Sequence, residues 1–368
     1  MTTMTNEHQP STPLRITVSP SRVISQAEGH HWFPTMLFRV QDGGLLLGYS
    51  ICPDELPGNL AGGIPHAFLK SLDDGFNWVC QTIVSGRLYG EAFPYGQLAD
   101  GRLLGMLGGA AGLFLDEHGV PYTFEYTSDD GMRSWDGPRR TAITFPPSIT
   151  LGNPVIAPGR TLAPFAFEGN LVTRHDGTLL RIADGKFAGD AYTRVGIMAS
   201  TDDGASWSYL ATIADPMVEP RDFNESALLE VADNDILCVM RTDRDGPNPL
   251  YQSRSHDGGH TWSVPQALGI TGVRPQMVKL RNGVIACSYG RLNGVPTAGV
   301  QVMFSRDDGV TWEGHTTVYD HASTGYTALL EIQPNELLLV YDALGYAWSH
   351  VNCISSVTIS VAMDTLSR

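Results

Sequence analysis

Glu168, Glu225, Arg274 and Tyr326 occupy one place in a repeated pattern, each eight residues ahead of a turn signal. Carboxylates can donate, accept or attack. A phenol, with an ordinary pKa of about 10, attacks only after a base takes its proton. A guanidinium pairs bidentately with carboxylates and other oxyanions. These types together allow hydrolysis through an attacking group, proton abstraction beside a carboxylate, or plain binding of a polar ligand.

Register is what gathers them. Counting back eight residues from Asp42, Asp100, Asp176, Asp233, Asn282 and Pro334 reaches Pro34, Ala92, Glu168, Glu225, Arg274 and Tyr326. Counting forward eight reaches Ser50, Gly108, Asp184, Arg241, Gly290 and Asp342, with Arg291 one step further. Each segment reads as strand, Asp-Gly-type turn, strand. Six such hairpins in phase bring both sets to one mouth. Glu168, Glu225 and Tyr326 are therefore candidate catalytic groups. Arg241, Arg274, Arg291, Trp32, Gln276 and Asp342 are candidate substrate contacts.

A second repeat frames these hairpins. Ser71-Leu-Asp-Asp-Gly-Phe-Asn-Trp78 recurs as Ser200–Trp207, Ser255–Trp262 and Ser305–Trp312, and with one extra residue as Thr127–Trp135. The starts lie 56, 73, 55 and 50 residues apart, a period of repeat architectures. Ser and Asp oxygens accept from backbone N–H groups a few residues on, Gly supplies positive φ, and Trp plates the neighbouring sheet. The phrase is a staple between two outer strands. The expected fold is all-β: a six-bladed β-propeller, four antiparallel strands per blade. Its ring is closed by the N-terminal segment Leu14–Ile24 beside Trp348–Val361.

Composition agrees. The 368 residues hold 40 glycines and no long amphipathic 3.6-period stretch. Residues 1–13 read as a polar disordered tail and residues 14–368 as one domain. No secretory h-region and no run of about 18 apolar residues is present, so a cytoplasmic location is expected. Five scattered cysteines suit free thiols in a reducing compartment. A net charge of −15 argues against nucleic-acid and anionic-membrane partners.

The pattern resembles the sialidase superfamily, six-bladed propellers whose staples are called Asp boxes. The resemblance covers nearly the whole chain. It is most specific in Asn224-Glu225 followed sixteen residues later by Arg241, and in Gly325-Tyr326-Thr327 followed by Tyr341-Asp342. The resemblance implies that Glu225 is the base for a nucleophilic Tyr326 and that Arg241 grips a substrate carboxylate. It places the acid/base after the first hairpin, at Asp54 or Glu55, with Asp54 preferred. Two of the family's three carboxylate-binding arginines are missing. Trp32 replaces one, in Trp32-Phe33-Pro34, and Val295–Gly299 holds no Arg where another belongs. Arg274 and Arg291 offer a clamp from another side.

The resemblance implies an exo-acting glycoside hydrolase with a carbohydrate substrate, and the reduced arginine set admits a terminal sugar other than sialic acid. Sialidases depart from the two-carboxylate scheme, because an anionic substrate repels a carboxylate nucleophile. On a neutral sugar, Glu168 and Glu225 could act as a carboxylate pair, and Trp32 could stack on the ring. A uronate lyase with Tyr326 or a His as base, and a non-catalytic glycan-binding propeller, are the alternatives. No Cys-x-x-Cys, His-Glu-x-x-His or phosphate-cradling loop occurs, so neither cofactor nor metal is implied.

Overall fold

The computed structural model describes residues 14–28, 32–51, 65–84, 92–107, 113–157, 160–243, 248–293, 297–344 and 351–363. Every regular element among them is a strand. Consecutive strands fold back antiparallel in groups of four. The first sheet runs Trp32–Arg39, Leu45–Ser50, His66–Ser71, Val79–Val84. The fourth runs Asp222–Ala232, Asp235–Asp243, Pro249–Ser255, Gln266–Thr271, and the fifth Val273–Lys279, Ile285–Asn293, Thr297–Ser305, Glu313–Tyr319.

The second group (Ala92–Gln97, Leu103–Leu107, Pro121–Ser128, Asp136–Thr144) and the third (Phe165–Thr173, Leu179–Gly185, Arg194–Ser200, Ser206–Ala214) are joined into one 11-stranded sheet. Their outermost strands pair in parallel, Ala142 with Ser206 and Ile143 with Trp207. The sixth group, Thr327–Gln333, Glu336–Ala343 and Val351–Met363, is completed from the start of the chain. Leu14–Val18 pairs with one half of the long Val351–Met363 strand and Arg22–Glu28 with the other. That covers its open edge, as the sequence predicts.

The first strand of each group is innermost. Phe38, Gly96, Leu171, Leu228, Met277 and Leu329, one from each, line a shared central cavity of about 420 Å³. Between neighbouring groups the strands bury continuous apolar runs. Leu237, Val239, Ile285 and Cys287 form one such seam, Leu45, Leu47, Leu338 and Val340 another. Strands covered on both faces need no polar alternation, which is why Leu45–Ser50 is buried throughout. The described cysteines, Cys80, Cys238, Cys287 and Cys353, are free thiols.

The staples join the third and fourth strands of their groups. In the first, Ser71 Oγ donates to Asp73 Oδ1 at 2.8 Å and accepts from Gly75 N at 2.9 Å, while Asn77 N donates to Asp73 Oδ1 at 2.8 Å. The bonds recur at Ser200–Asp202, Ser255–Asp257 and Ser305–Asp307. The remaining phrase carries no inserted residue, correcting the sequence reading. It begins at Ser128, whose Oγ donates to Asp130 Oδ1 at 2.9 Å and accepts from Met132 N at 3.0 Å. Met132, at φ 74°, takes the place glycine holds elsewhere. Its side chain is buried with Trp135 against Phe68 and Leu103, and that burial offsets the left-handed backbone.

Candidate active site

Three inner strands share one local device. Register breaks lie between Trp32 and Pro34, Asn224 and Ala227, and Val273 and Gln276. In each break sits a non-glycine residue with a left-handed backbone: Phe33 (φ 46°), Glu225 (φ 38°) and Arg274 (φ 45°). A bulge bends the strand and re-aims a side chain, and such backbone gathers where a site over-determines it. The first strand's equivalent residue is thus Phe33, and Pro34 was one position off. A second break, between Pro34 and Met36, adds the residue that upsets the count of eight.

Tyr326 follows Gly325, whose φ is 83°. A Cβ on Gly290 would lie 2.4 Å from Gly325 Cα, so only glycine lets this segment close against the fifth sheet. The Tyr326 hydroxyl donates to Glu225 Oε1. The other oxygen, Glu225 Oε2, accepts from Arg241 Nη1 at 2.6 Å. Arg241 lies directly across the hairpin, since Asn224 pairs with Arg241. Its Nε and Nη2 donate to Asp243 Oδ1 at 3.1 and 2.9 Å, and Asn224 Nδ2 holds Asp243 Oδ2 at 2.7 Å.

Beside this chain, Arg274 Nη1 donates to Glu168 Oε2 at 2.5 Å, and Arg274 Cζ stands 5.3 Å from the centroid of the Tyr326 ring. Phe33 meets that ring edge-on, centroids 4.7 Å apart. Burial, then the Glu225 charge, pushes the Tyr326 hydroxyl far above its ordinary pKa. Burial disfavours the Arg274 cation, but Glu168, Tyr326 and Glu225 outweigh it and hold the guanidinium charged. Asp184, reached by the forward count, is partly buried, with Oδ1 enclosed and unpartnered among the described residues. Desolvation, then Glu168, raises its pKa strongly.

Glu168, Arg274 and Tyr326 line a pocket of about 270 Å³ together with Phe33, Phe93 and Phe167. Glu225 and the expected contact Arg241 are not among its lining residues, and two other expected contacts lie elsewhere. Asp342 is fully buried; it accepts from Phe33 N (3.1 Å), Ser323 Oγ (2.7 Å), Thr324 N (2.9 Å) and Thr324 Oγ1 (2.6 Å). It is a strut tying the Tyr326 segment to Phe33, with no oxygen left for substrate. Gln276 accepts from Asn170 Nδ2 at 3.2 Å and lines the central cavity, not the pocket. Glu168 and Glu225 each hold a different arginine. Asp54 and Glu55 lie outside the described residues, as do the side chains of Trp32 and Arg291.

The sequence reading missed Phe33, Asp243 and Arg181, the last a pocket-lining residue on the Leu179–Gly185 strand. Arg181 had a visible signal: a lone cation inside the apolar run Leu179-Leu-Arg-Ile-Ala183.

A family model of the BNR repeat-like domain matches residues 116–334. The chain belongs to the BNR repeat-like family. Its fold is that of the sialidase superfamily. A protein of unknown function from Dyadobacter fermentans aligns over 94% of this chain and 99% of its own, with a TM-score of 0.73 and 21% identity. The Hadza microbial sialidase Hz136 aligns over 91% of this BNR repeat-like chain and 66% of its own (TM-score 0.61, 18% identity). The sialidase of Trypanosoma rangeli, solved as a covalent intermediate with 2,3-difluorosialic acid, aligns over 90% and 54% (TM-score 0.58, 14% identity). Among curated proteins, none matches the chain significantly.

Proposed function

We propose that this chain is a closed six-bladed propeller and an exo-acting glycoside hydrolase. Glu225 accepts the phenol proton of Tyr326. The phenolate oxygen bonds to the anomeric carbon as the glycosidic C–O bond breaks, and Asp54 gives the departing oxygen its proton. Asp54, now a carboxylate, takes a proton from the water that attacks the same carbon; Tyr326 leaves as phenolate, and the proton on Glu225 returns to it. Arg241 keeps Glu225 aimed. Arg274, close to the Tyr326 ring, steadies the developing phenolate.

The observation carrying this reading is the Tyr326–Glu225–Arg241 chain of hydrogen bonds, a nucleophile joined to a base joined to the group that orients it. The pocket of about 270 Å³ favours one sugar ring over a chain interior, hence exo action. The covalent intermediate of the Trypanosoma rangeli sialidase is a precedent on this fold.

The test is a panel of aryl glycosides, including a sialoside and a glucuronide, run beside uronate polymers. Aglycone release that depends on Tyr326 supports the hydrolase. Absorbance from an unsaturated uronate would replace it with a lyase. Binding without turnover would make the chain a glycan-binding module.

A further inference from the structure

Guanidinium groups come from three strands around this site, and two are already paired. Arg241 is held by Glu225 and Asp243, and Arg274 by Glu168. Arg181 is not. It lines the pocket yet is only 3% exposed, with Nε and Nη1 buried and without a hydrogen-bond partner among the described residues. It lies between two rings, its Cζ 3.8 Å from the Tyr95 centroid and 4.3 Å from that of Phe167. The neighbouring carboxyl, Glu125, accepts from Tyr95 OH at 2.6 Å, and its Oε1 is buried without a hydrogen-bond partner among the described residues.

A buried cation with two donor nitrogens left unpaired is costly, and the usual remedy is an oxyanion. The chain as a whole carries −15, yet the charged residues lining the pocket are Arg181, Arg274 and Glu168. An anion repelled by the general surface is thus favoured here.

We propose that Arg181 is the anion-recognition residue of this pocket, and that the terminal sugar it accepts carries a carboxylate or sulfate docking beside Tyr95 and Phe167. This rests on reading the pocket as a sugar site. It moves anion recognition away from Arg241, which already holds Glu225 and Asp243, to the wall formed by the second and third groups of strands.

Glu125 gives the proposal a signature. Tyr95, Arg181, Arg139 and Trp207 surround it, and burial raises its pKa from 4.5 to about 7. Its carboxylate partly compensates Arg181 above that pH. Protonation as pH falls through about 7 removes the compensation, so anion affinity rises on acidification.

The experiment is calorimetric titration of the non-hydrolysing Tyr326→Phe protein with D-glucuronate, D-glucose 6-sulfate and D-glucose. At least one acidic sugar should bind about tenfold or more tighter than glucose. Whichever acid gains tells carboxylate from sulfate. Adding Arg181→Met should erase the preference, while adding Glu125→Gln should keep it and flatten its pH dependence. No preference for either acid, or a preference surviving Arg181→Met, overturns the proposal. If the Arg181 variant fails to fold, a pH dependence unchanged by Glu125→Gln overturns it instead. Binding is read here without turnover, so failure of the hydrolase reading leaves a different result: an intact preference and no aglycone release from the wild type.

Discussion

The Tyr326 hydroxyl donates to one oxygen of Glu225, and Arg241 Nη1 holds the other at 2.6 Å. The two residues lie 101 apart in sequence and on different sheets. Only convergence of the inner strands makes them neighbours. A phenol whose pKa is driven upward by burial and by Glu225 does not ionise alone, so the proposed mechanism requires that its proton pass to that carboxylate.

Tyr326→Phe and Glu225→Gln should each lower kcat by about a hundredfold or more on whichever glycoside is turned over. Both keep the shape of the side chain they replace, so melting temperature and circular dichroism should hardly move. Near wild-type turnover in either variant would remove the covalent mechanism.

Asp342→Ala should behave differently. Phe33 N, Ser323 Oγ, Thr324 N and Thr324 Oγ1 all donate to this one carboxylate. Its loss leaves donors unpaired in a closed interior, a cost of roughly 3 kcal/mol. Thermal unfolding should show the loss, and kcat should fall with it, because Ser323 to Gly325 carry Tyr326. A variant that loses activity at unchanged stability would restore Asp342 to substrate binding.

These residues also show what sequence can and cannot tell. Hairpin pairing is arithmetic on a two-residue period, so the convergence of Glu168, Glu225, Arg274 and Tyr326 and the Glu225–Arg241 pairing were legible. Partner choice is not arithmetic. Asp342 and Gln276 sit on strands leading to the mouth, but what their oxygens accept depends on Thr324 and Asn170, brought close by other parts of the chain. Bulges hide as well: the extra residue after Phe33 displaced the first hairpin's register by one. The Met132 staple was misplaced because glycine was the only residue the pattern allowed at positive φ.

Gly290→Ala tests positioning without touching a polar group. The new methyl would lie 2.4 Å from Gly325 Cα and must push the Tyr326 segment away from the fifth sheet. Displacement of the nucleophile from Glu225 should lower kcat about tenfold or more with KM little changed. An equal loss confined to KM would mean that the segment binds substrate and does not deliver the nucleophile.

Met132→Gly sets two effects against each other. Removing the left-handed strain gains about 1 kcal/mol, while deleting a side chain only 5% exposed costs about 2–5 kcal/mol. The variant should therefore unfold at lower temperature, despite restoring the residue found at this point of the other staples. A stabilised variant would mean that Met132 packs loosely.

Glu125 supplies a prediction in pH. Its folded pKa of about 7 lies above the ordinary 4.5, so the folded state keeps a proton that the unfolded chain releases. The stability this gives is fully present below about pH 4.5 and drains away as pH rises through about 7, in all roughly 3 kcal/mol. Glu125→Gln keeps an acceptor for Tyr95 but has no proton to lose. Its denaturation midpoint should match wild type near pH 4.5 and exceed it at pH 8. Parallel stability curves for the two proteins between those pH values would mean that Glu125 ionises normally, and would remove the pH dependence inferred for Arg181.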